Sequence, residues 1–451
     1  MYSTDPDVRK AYSADVSGLV MLPDAVARPT TTEEVQETLR KAASDRTSVT
    51  AAGGQTSTTG ASITDKGVLL SVRAMDRILD VDREGRRAVV QPGVLLGDLN
   101  RAIADTGLHF APDPTSEDDV TIGGAVACNA SGARTLLYGA TRAHVRSLEI
   151  VLANGERTHV GRSGLDKNTA GYAFAQDPVD WFIGSEGTLG VIVEAELTLT
   201  PLPAQVIGLG IPCTDEASAL ALVVAIRESA DLRPRCIEYF DGFALQIARE
   251  HSGRGWATDA GALVYVEDTA SAAGDVPLDA WLEIAEDHNA AGNMLVFDGE
   301  AALRDARKMR HAVPTTMNER GSARRPHGGR KVSTDWAVPY RRLAEAIGEA
   351  RRLVDAADLA QPVVYGHAGN GHPHENFVAH DRDELERIEA TVEATLRHVI
   401  SLGGTVSAEH GIGKIKRRWL PLQASPMQIG VMRSVKRELD PLGILAPGNI
   451  L

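Results

Sequence analysis

Cysteine is scarce in this sequence. Only Cys128, Cys213 and Cys236 occur among 451 residues, and no two stand as a C-x-x-C pair. Iron–sulfur ligation by this chain and a disulfide framework are both disfavoured on that ground. Basic charge is also short. The 47 Lys and Arg face 61 Asp and Glu, for a net charge of −14. Nucleic acid or an anionic membrane is therefore not the expected main partner. Residues 1–18 lack the basic start and long apolar run of a secretory leader. The most apolar stretch, 219–226, is far too short to cross a bilayer and reads as a buried helix. A soluble cytoplasmic protein is the expectation.

What is present points to chemistry. The length predicts two or three domains with sizeable cores. The segment YGHAGNGHPHENF, at 365–377, places His367, His372 and His374 among glycines. Histidines seven apart with three glycines nearby do not fit the three- or four-residue ligand spacing of a helix. They suit a strand or turn that bends back on itself. Later, GGTVSAEHGIGK carries Glu409 beside His410. Two imidazoles, His367 and His374, with the Glu409 carboxylate form the ligand set of a catalytic divalent metal site with open positions. His410 would be a base held near that metal. The plainer alternative is a set of strand-end histidines hydrogen-bonded in a domain interface.

Along the N-terminal half, Thr31-x-x-Glu34 is a capping box that opens a helix to about Ala43. A strand at 48–52 leads into Gly53, Gly54, Gln55, Thr56, Ser57, Thr58, Thr59 and Gly60. Exposed N–H groups and hydroxyls on such a loop bind anions. The loop is neither G-x-G-x-x-G nor G-x-x-x-x-G-K-[ST], so the folds those motifs mark are not indicated. A polar hairpin turn is the alternative reading. Strands are predicted at 67–71, 78–82 and 87–91, and a helix at 95–107 closed by Gly107. Small residues dominate the next stretch: Pro112, Asp113, Thr115 and Ser116, then Gly123 and Gly124, then Asn129, Ser131 and Gly132. They leave room for a flat ligand against the backbone, or they mark tight packing of backbones. Asn154-Gly155 signals a type I′ hairpin between strands at 145–152 and 157–161. Gly184–Gly190, GSEGTLG, leads into a strand at 191–200, and Pro201 and Pro203 end the domain.

Together these motifs resemble the flavin domain of the FAD-linked oxidase superfamily, the group containing vanillyl-alcohol oxidase and p-cresol methylhydroxylase. Within it, the chain resembles the metal-dependent D-2-hydroxyacid dehydrogenases acting on D-lactate, glycolate or D-2-hydroxyglutarate. The resemblance spans PDPTS, TIGG, NASG, GSEGTLG, GHAGNGHPH, SAEHGIGK and DPLGILAPG in order. It implies an α+β fold: a two-part FAD-binding domain of the PCMH type over 1–203, a substrate or cap domain over 204–405, and a segment 406–451 returning to the flavin domain. It implies FAD with its pyrophosphate on Gly53–Ser57. Around the ring and nucleotide it implies the residues of 112–132 named above, with Glu186, Gly187, Gly190, Ile192 and Asn449. Relatives that bind flavin covalently use a histidine in the glycine loop; 51–60 has none, so non-covalent FAD is expected. The metal is zinc by this reading, with manganese or iron as alternatives. Asn376 matches a substrate-contacting asparagine. The sequence departs from the pattern at Ala52, where arginine is usual, at Asn370, where an acid is usual, and at Ala446, where asparagine is usual.

The C-terminal half alternates strands at 206–213, 235–241, 262–267 and 294–298 with helices at 217–229, 277–291 and 301–311. That alternation suits an antiparallel sheet with helices on one face. An Arg- and Gly-rich loop is expected at 317–330, a helix at 339–356 and another at 382–402. Small hydroxyacids are anions, so local cations are needed; Arg310 resembles the carboxylate-binding arginine of the family, and Lys331 lies near its lysine. Either could instead be a solvated surface charge. Three rivals stand beside the dehydrogenase: an oxygen-using alcohol oxidase, a metal hydrolase, and a silent flavin subunit. The electron acceptor is left open among a flavoprotein, a quinone, a cytochrome and a separate iron–sulfur protein, and a homodimer is left open as well.

Overall fold

A computed structural model of the chain describes every residue except 1, 253–256, 258, 270–275, 289 and 291–293. The chain divides into two compact units. One gathers 1–132, 139–202 and 409–451; the other gathers 133–138 and 203–408.

The first unit holds two larger sheets and a two-stranded ribbon of Leu108–His109 with Thr200–Pro201. Strands Ala25–Ala27, Val68–Ser71 and Val49–Ala52 run parallel, with Tyr2–Ser3 added antiparallel at the far edge. Helix Thr32–Asp45 covers this sheet because Val35, Thr38, Leu39 and Ala42 recur on one face. Thr31 caps it through its hydroxyl on the Glu34 N–H at 3.3 Å. The Glu34 carboxylate, however, takes the Thr30 N–H at 2.6 Å, so the reciprocal arm of the box lands one residue early. The second sheet is antiparallel, in the order Ile78–Asp82, Arg87–Val90, Val191–Thr198, Val145–Val151, Arg157–Gly161. Its middle strand is buried on both faces: Val191 and Val193 enter one core, Ile192, Ala195 and Leu197 the other. The turn between Val145–Val151 and Arg157–Gly161 departs from type I′, which needs positive φ at both central residues. Gly155 has φ 78°, but Asn154 stays out of the left-handed region. The Leu152 carbonyl accepts the Gly155 N–H at 2.8 Å, so a longer turn closes the hairpin.

The second unit is a seven-stranded antiparallel sheet. Its order is Leu295–Asp298, Val206–Cys213, Ala262–Thr269, Pro234–Phe240, Val363–His367, His372–Val378, Lys331–Ser333. Strand Pro234–Phe240 is buried at every position, so helices cover both faces rather than the one expected. Ala244, Leu245, Ala306, Val313 and Met317 of two helices pack on the Phe240 and Tyr365 side. On the other side Tyr239 donates to Glu216, which also pairs with Arg351 of helix Leu343–Ala356. The helix expected at 301–311 runs far longer, as Glu300–Ser322, and takes in much of the expected loop. Pro314 inside it costs roughly 3 kcal/mol. Burying Val313 and Met317 returns roughly 1.5–3 kcal/mol each, so packing outweighs the proline. Helix Gly242–Ser252 was not foreseen; Asp241 accepts the Ala244 N–H at 2.8 Å at its start. The expected helix at 277–291 is Leu278–Asp287, and its predicted end falls outside the described residues. Among the described residues no helix is long and apolar enough to cross a membrane.

Candidate flavin loop and histidine site

In the first unit, strand Val49–Ala52 delivers the glycine loop. A Cβ on Gly53 would lie 2.1 Å from Thr121 Oγ1, and one on Gly54 2.0 Å from the Asp119 carbonyl oxygen. These glycines let the loop lie directly on the segment that follows PDPTS. Similar contacts explain Gly123 against Pro92, Gly132 against the Asp113 carbonyl and Gly190 against Ile150. Much of the small-residue pattern is thus backbone packing. The loop is nonetheless a cradle. Among the described residues, the N–H groups of Gln55, Thr56, Ser57 and Thr58 donate to no protein acceptor, and the buried Thr58 hydroxyl has no partner. Successive unclaimed N–H groups of this kind suit a pyrophosphate.

The loop is braced by the end of the chain. Buried Glu186, at φ 51°, accepts the N–H groups of Ile412 and Gly413 at 2.6 and 2.7 Å. Asn449 spends both ends of its amide on protein: Nδ2 donates to the Ala61 and Glu186 carbonyls, and Oδ1 accepts from Lys414 Nζ at 2.7 Å. Lys414 also donates to the Gly60 carbonyl at 3.0 Å. Ile192 sits in the core behind these residues. The Thr59 hydroxyl donates to the His410 carbonyl at 3.3 Å. Glu409 and His410 open this last stretch of the unit.

In the second unit, strands Val363–His367 and His372–Val378 form a hairpin. Pairing sets His367 opposite His372, Tyr365 opposite His374 and Val363 opposite Asn376. Since side chains alternate along a strand, all six share one face. The bend requires glycine at 371, where φ is 67° and a Cβ would lie 1.9 Å from the Val338 carbonyl. The three imidazoles are buried, with ring centroids 4.5–5.5 Å apart. Each offers a ring nitrogen within 4.8 Å of the others.

Two acids that the sequence does not announce stand against these rings. Glu238 Oε1 lies 2.5 Å from His367 Nδ1, and Asp335 Oδ1 lies 3.1 Å from His372 Nε2. Asp335 is itself fixed by the Ser407 hydroxyl at 2.9 Å, and its carbonyl takes the Ala408 N–H at 2.8 Å. The available signal was a lone acid in an otherwise apolar strand, Cys236-Ile237-Glu238-Tyr239-Phe240. Burial would push the Glu238 carboxyl up; His367 and Arg310 outweigh it and hold the group at about 2.

Arg310 is buried, not a solvated surface charge. Its Nε donates to Glu238 Oε2 at 3.1 Å, and Nη2 stands 3.4 Å from His367 Nε2. Pro314 has no N–H to give to the Arg310 carbonyl four residues back. Lys331 lies elsewhere on the sheet and donates to Asn318 Oδ1 at 2.9 Å; burial pushes its ammonium down to about 8. Asn376 follows His374 on the same face and donates Nδ2 to the His374 carbonyl at 3.2 Å.

The donor set of the histidine face fits a divalent ion: buried imidazoles with ring nitrogens close together, His367 with a carboxylate on its far nitrogen. The glycine loop fits a dinucleotide phosphate. Comparison with known proteins agrees with the second point. The family described as FAD linked oxidases, C-terminal domain, matches residues 202–450, and an FAD binding domain matches 23–161. The chain is 31% identical over 449 residues to glycolate oxidase subunit GlcD of Bacillus subtilis, covering 98% of this chain and 92% of that protein. It is 31% identical to a D-lactate dehydrogenase of Anaerostipes hadrus, covering 95% and 89% of the two chains. With a D-2-hydroxyglutarate dehydrogenase of Stutzerimonas stutzeri the identity is 29%, over 99% and 95%. Among solved structures, alkyldihydroxyacetonephosphate synthase shares the fold at TM-score 0.73 and 19% identity, over 99% of this chain and 83% of that one.

Proposed function

The chain belongs to the FAD-linked oxidases, and on that footing we propose that it is an FAD- and metal-dependent dehydrogenase of a D-2-hydroxyacid. The substrate would be of the lactate, glycolate or 2-hydroxyglutarate type, and the product the 2-oxoacid. The observation that carries this reading is the setting of His367. Glu238 stands on its Nδ1, which sets the ring so that Nε2 would face a metal, and the Arg310 guanidinium lies 3.4 Å from that nitrogen. A carboxylate behind a ligating imidazole fixes its tautomer and raises its basicity. A guanidinium at that place suits the carboxylate of a small acid.

His367, His374 and Glu409 are the assigned metal ligands. Glu409 follows Ala408, whose N–H is already tied to the Asp335 carbonyl. When bound, the metal supplies Lewis-acid polarisation of the 2-hydroxyl and the flavin supplies the hydride acceptor. His410 accepts the hydroxyl proton on a ring nitrogen. Arg310 orients the acid through paired N–H groups. FAD is held without a covalent bond, since residues 51–60 offer no histidine. Zinc suits two nitrogens and an oxygen, with manganese or iron as alternatives.

The test is anaerobic flavin bleaching by a panel of D- and L-2-hydroxyacids, before and after chelation. Bleaching by a D-hydroxyacid that is lost on chelation and restored by metal is the expected result. Bleaching that survives chelation at full rate removes the metal from the proposal. A purified protein without flavin absorbance removes the dehydrogenase.

A further inference from the structure

Of the three imidazoles on the histidine face, His372 alone has no part in the proposed oxidation. The metal set named above draws on His367, His374 and Glu409. Yet His372 is 2% exposed, and its ring centroid lies 4.5 Å from that of His374 and 5.5 Å from that of His367. Burying a polar ring is costly unless its nitrogens are used.

Three observations supply a use. First, the hairpin register alone brings the rings together. His367 pairs with His372, and His374 stands two residues on, so all three share one face and belong wholly to the second unit. Each gives a ring nitrogen within 4.8 Å of the other two. Second, His372 is supported as His367 is. Asp335 Oδ1 lies 3.1 Å from His372 Nε2, just as Glu238 Oε1 lies 2.5 Å from His367 Nδ1. A buried carboxylate on one ring nitrogen is the usual company of an imidazole whose other nitrogen ligates a metal. Third, bracing of the chain does not explain the pair. Asp335 holds the following stretch through Oδ2, which accepts the Ser407 hydroxyl at 2.9 Å, and through its carbonyl, which accepts the Ala408 N–H at 2.8 Å. Neither bond uses Oδ1 or needs an imidazole.

We propose that His372 is a third nitrogen ligand of the metal, so that the second unit by itself supplies His367, His372 and His374 from one face. This third ligand presupposes the metal-dependent reading above and changes its donor set from two imidazoles to three. The change bears on which ion is taken. Imidazole suits zinc, copper, nickel and iron, whereas manganese prefers carboxylate, carbonyl and water. His372 therefore turns the site toward zinc and away from manganese.

Pulsed EPR of the FAD-loaded protein charged with copper(II) tests the assignment, because it counts the imidazoles on the ion. Competition titration with zinc and manganese reads affinity and preference. The wild type should show three imidazoles. His372→Asn should show two and narrow the preference for zinc over manganese. It should weaken zinc by more than the roughly 10- to 100-fold that follows loss of an outer carboxylate. Asp335→Asn should keep three imidazoles and weaken zinc within that range. A merely structural His372 would lower the melting temperature of its variant and leave count and preference where they were, which overturns the proposal. The wild-type count decides the matter even if no variant folds. Two imidazoles on the wild-type ion overturn the third ligand and leave the dehydrogenase reading intact; no metal uptake at all overturns both the third ligand and the metal of that reading.

Discussion

The two oxygens of Glu238 are divided between His367 Nδ1 at 2.5 Å and Arg310 Nε at 3.1 Å. One buried carboxylate therefore sets the direction of both an imidazole and a guanidinium. Glu238→Gln keeps the shape and removes the charge. Metal affinity should fall roughly ten- to hundred-fold, the usual effect of losing a carboxylate behind a ligating histidine. Flavin content should stay at one per chain. Metal titration of wild type and variant checks this; equal affinities would leave Glu238 a packing residue.

His367 and His410 should differ in what they lose. His367→Ala should lose metal and activity together. His410→Ala should keep metal and FAD and slow flavin reduction by roughly two to four orders of magnitude. Metal content and anaerobic bleaching, measured on both, decide the matter. If His410→Ala sheds the metal and His367→Ala retains it, the roles are reversed.

Lys414 predicts opposite pH slopes for stability and for cofactor affinity. Burial pushes its ammonium from 10.5 down to about 8. A depressed folded value means the unfolded chain binds more protons between about 8 and 10.5. Stability of the flavin-free protein therefore rises with pH across that window. An anionic cofactor favours the protonated amine, so FAD affinity should fall as pH rises through about 8. Lys414→Met should flatten both slopes. Melting temperatures and FAD dissociation constants between pH 7 and 10 provide the check, and slopes surviving in the variant would assign them to another group.

Gly54→Ala places a methyl 2.0 Å from the Asp119 carbonyl oxygen, where neither partner is a flexible side chain. A loss of roughly 1–3 kcal/mol is expected, typical of overpacking. The protein as purified should also carry less flavin. A variant with wild-type melting and colour would show that the loop has slack.

Ala446 occupies φ 42° and is buried. The left-handed region costs a residue with a Cβ about 1–2 kcal/mol. Glycine removes that strain but adds about 0.5–1 kcal/mol of backbone entropy to be lost. Ala446→Gly should thus raise the denaturant midpoint slightly, by the equivalent of about 0.5 kcal/mol. A clear fall would mean that the Ala446 methyl contributes packing that exceeds the strain.

The parts of the site carried by local chemistry were legible in the sequence. Gly53 and Gly54, the Gly366–Gly371 bend and the histidines at 367 and 374 announce themselves because glycine and histidine are chosen for what they alone can do. The reason for a glycine was less legible than its presence: Gly123 and Gly132 serve neighbouring backbone, and only a tertiary structure shows which atom lies 2–3 Å away. Glu238 and Asp335 were missed because each meets a histidine far away in sequence. The Glu300–Ser322 helix was cut short because Pro314 and the arginines that follow are poor local signals for a helix. Burial of Val313 and Met317, a property of the sheet they cover, decides the outcome.

Strand Val49–Ala52 is bridged in parallel by Leu445, and it exchanges N–H and carbonyl bonds with Ile444 and Ala446 at 2.8 and 2.7 Å. Among the described residues, that edge of its sheet has no other strand beyond it. The covering segment leaves the ribosome about four hundred residues later, which at roughly 5–20 residues per second is roughly 20–80 seconds. For that interval the growing chain carries an open strand edge of the kind that recruits other chains. The whole of 203–408 is made during the wait. A nascent chain stalled before residue 444 would therefore hold a folded second unit and an unsealed first one, and loss of the last eight residues should lower yield of soluble protein before it lowers anything measured on the survivors.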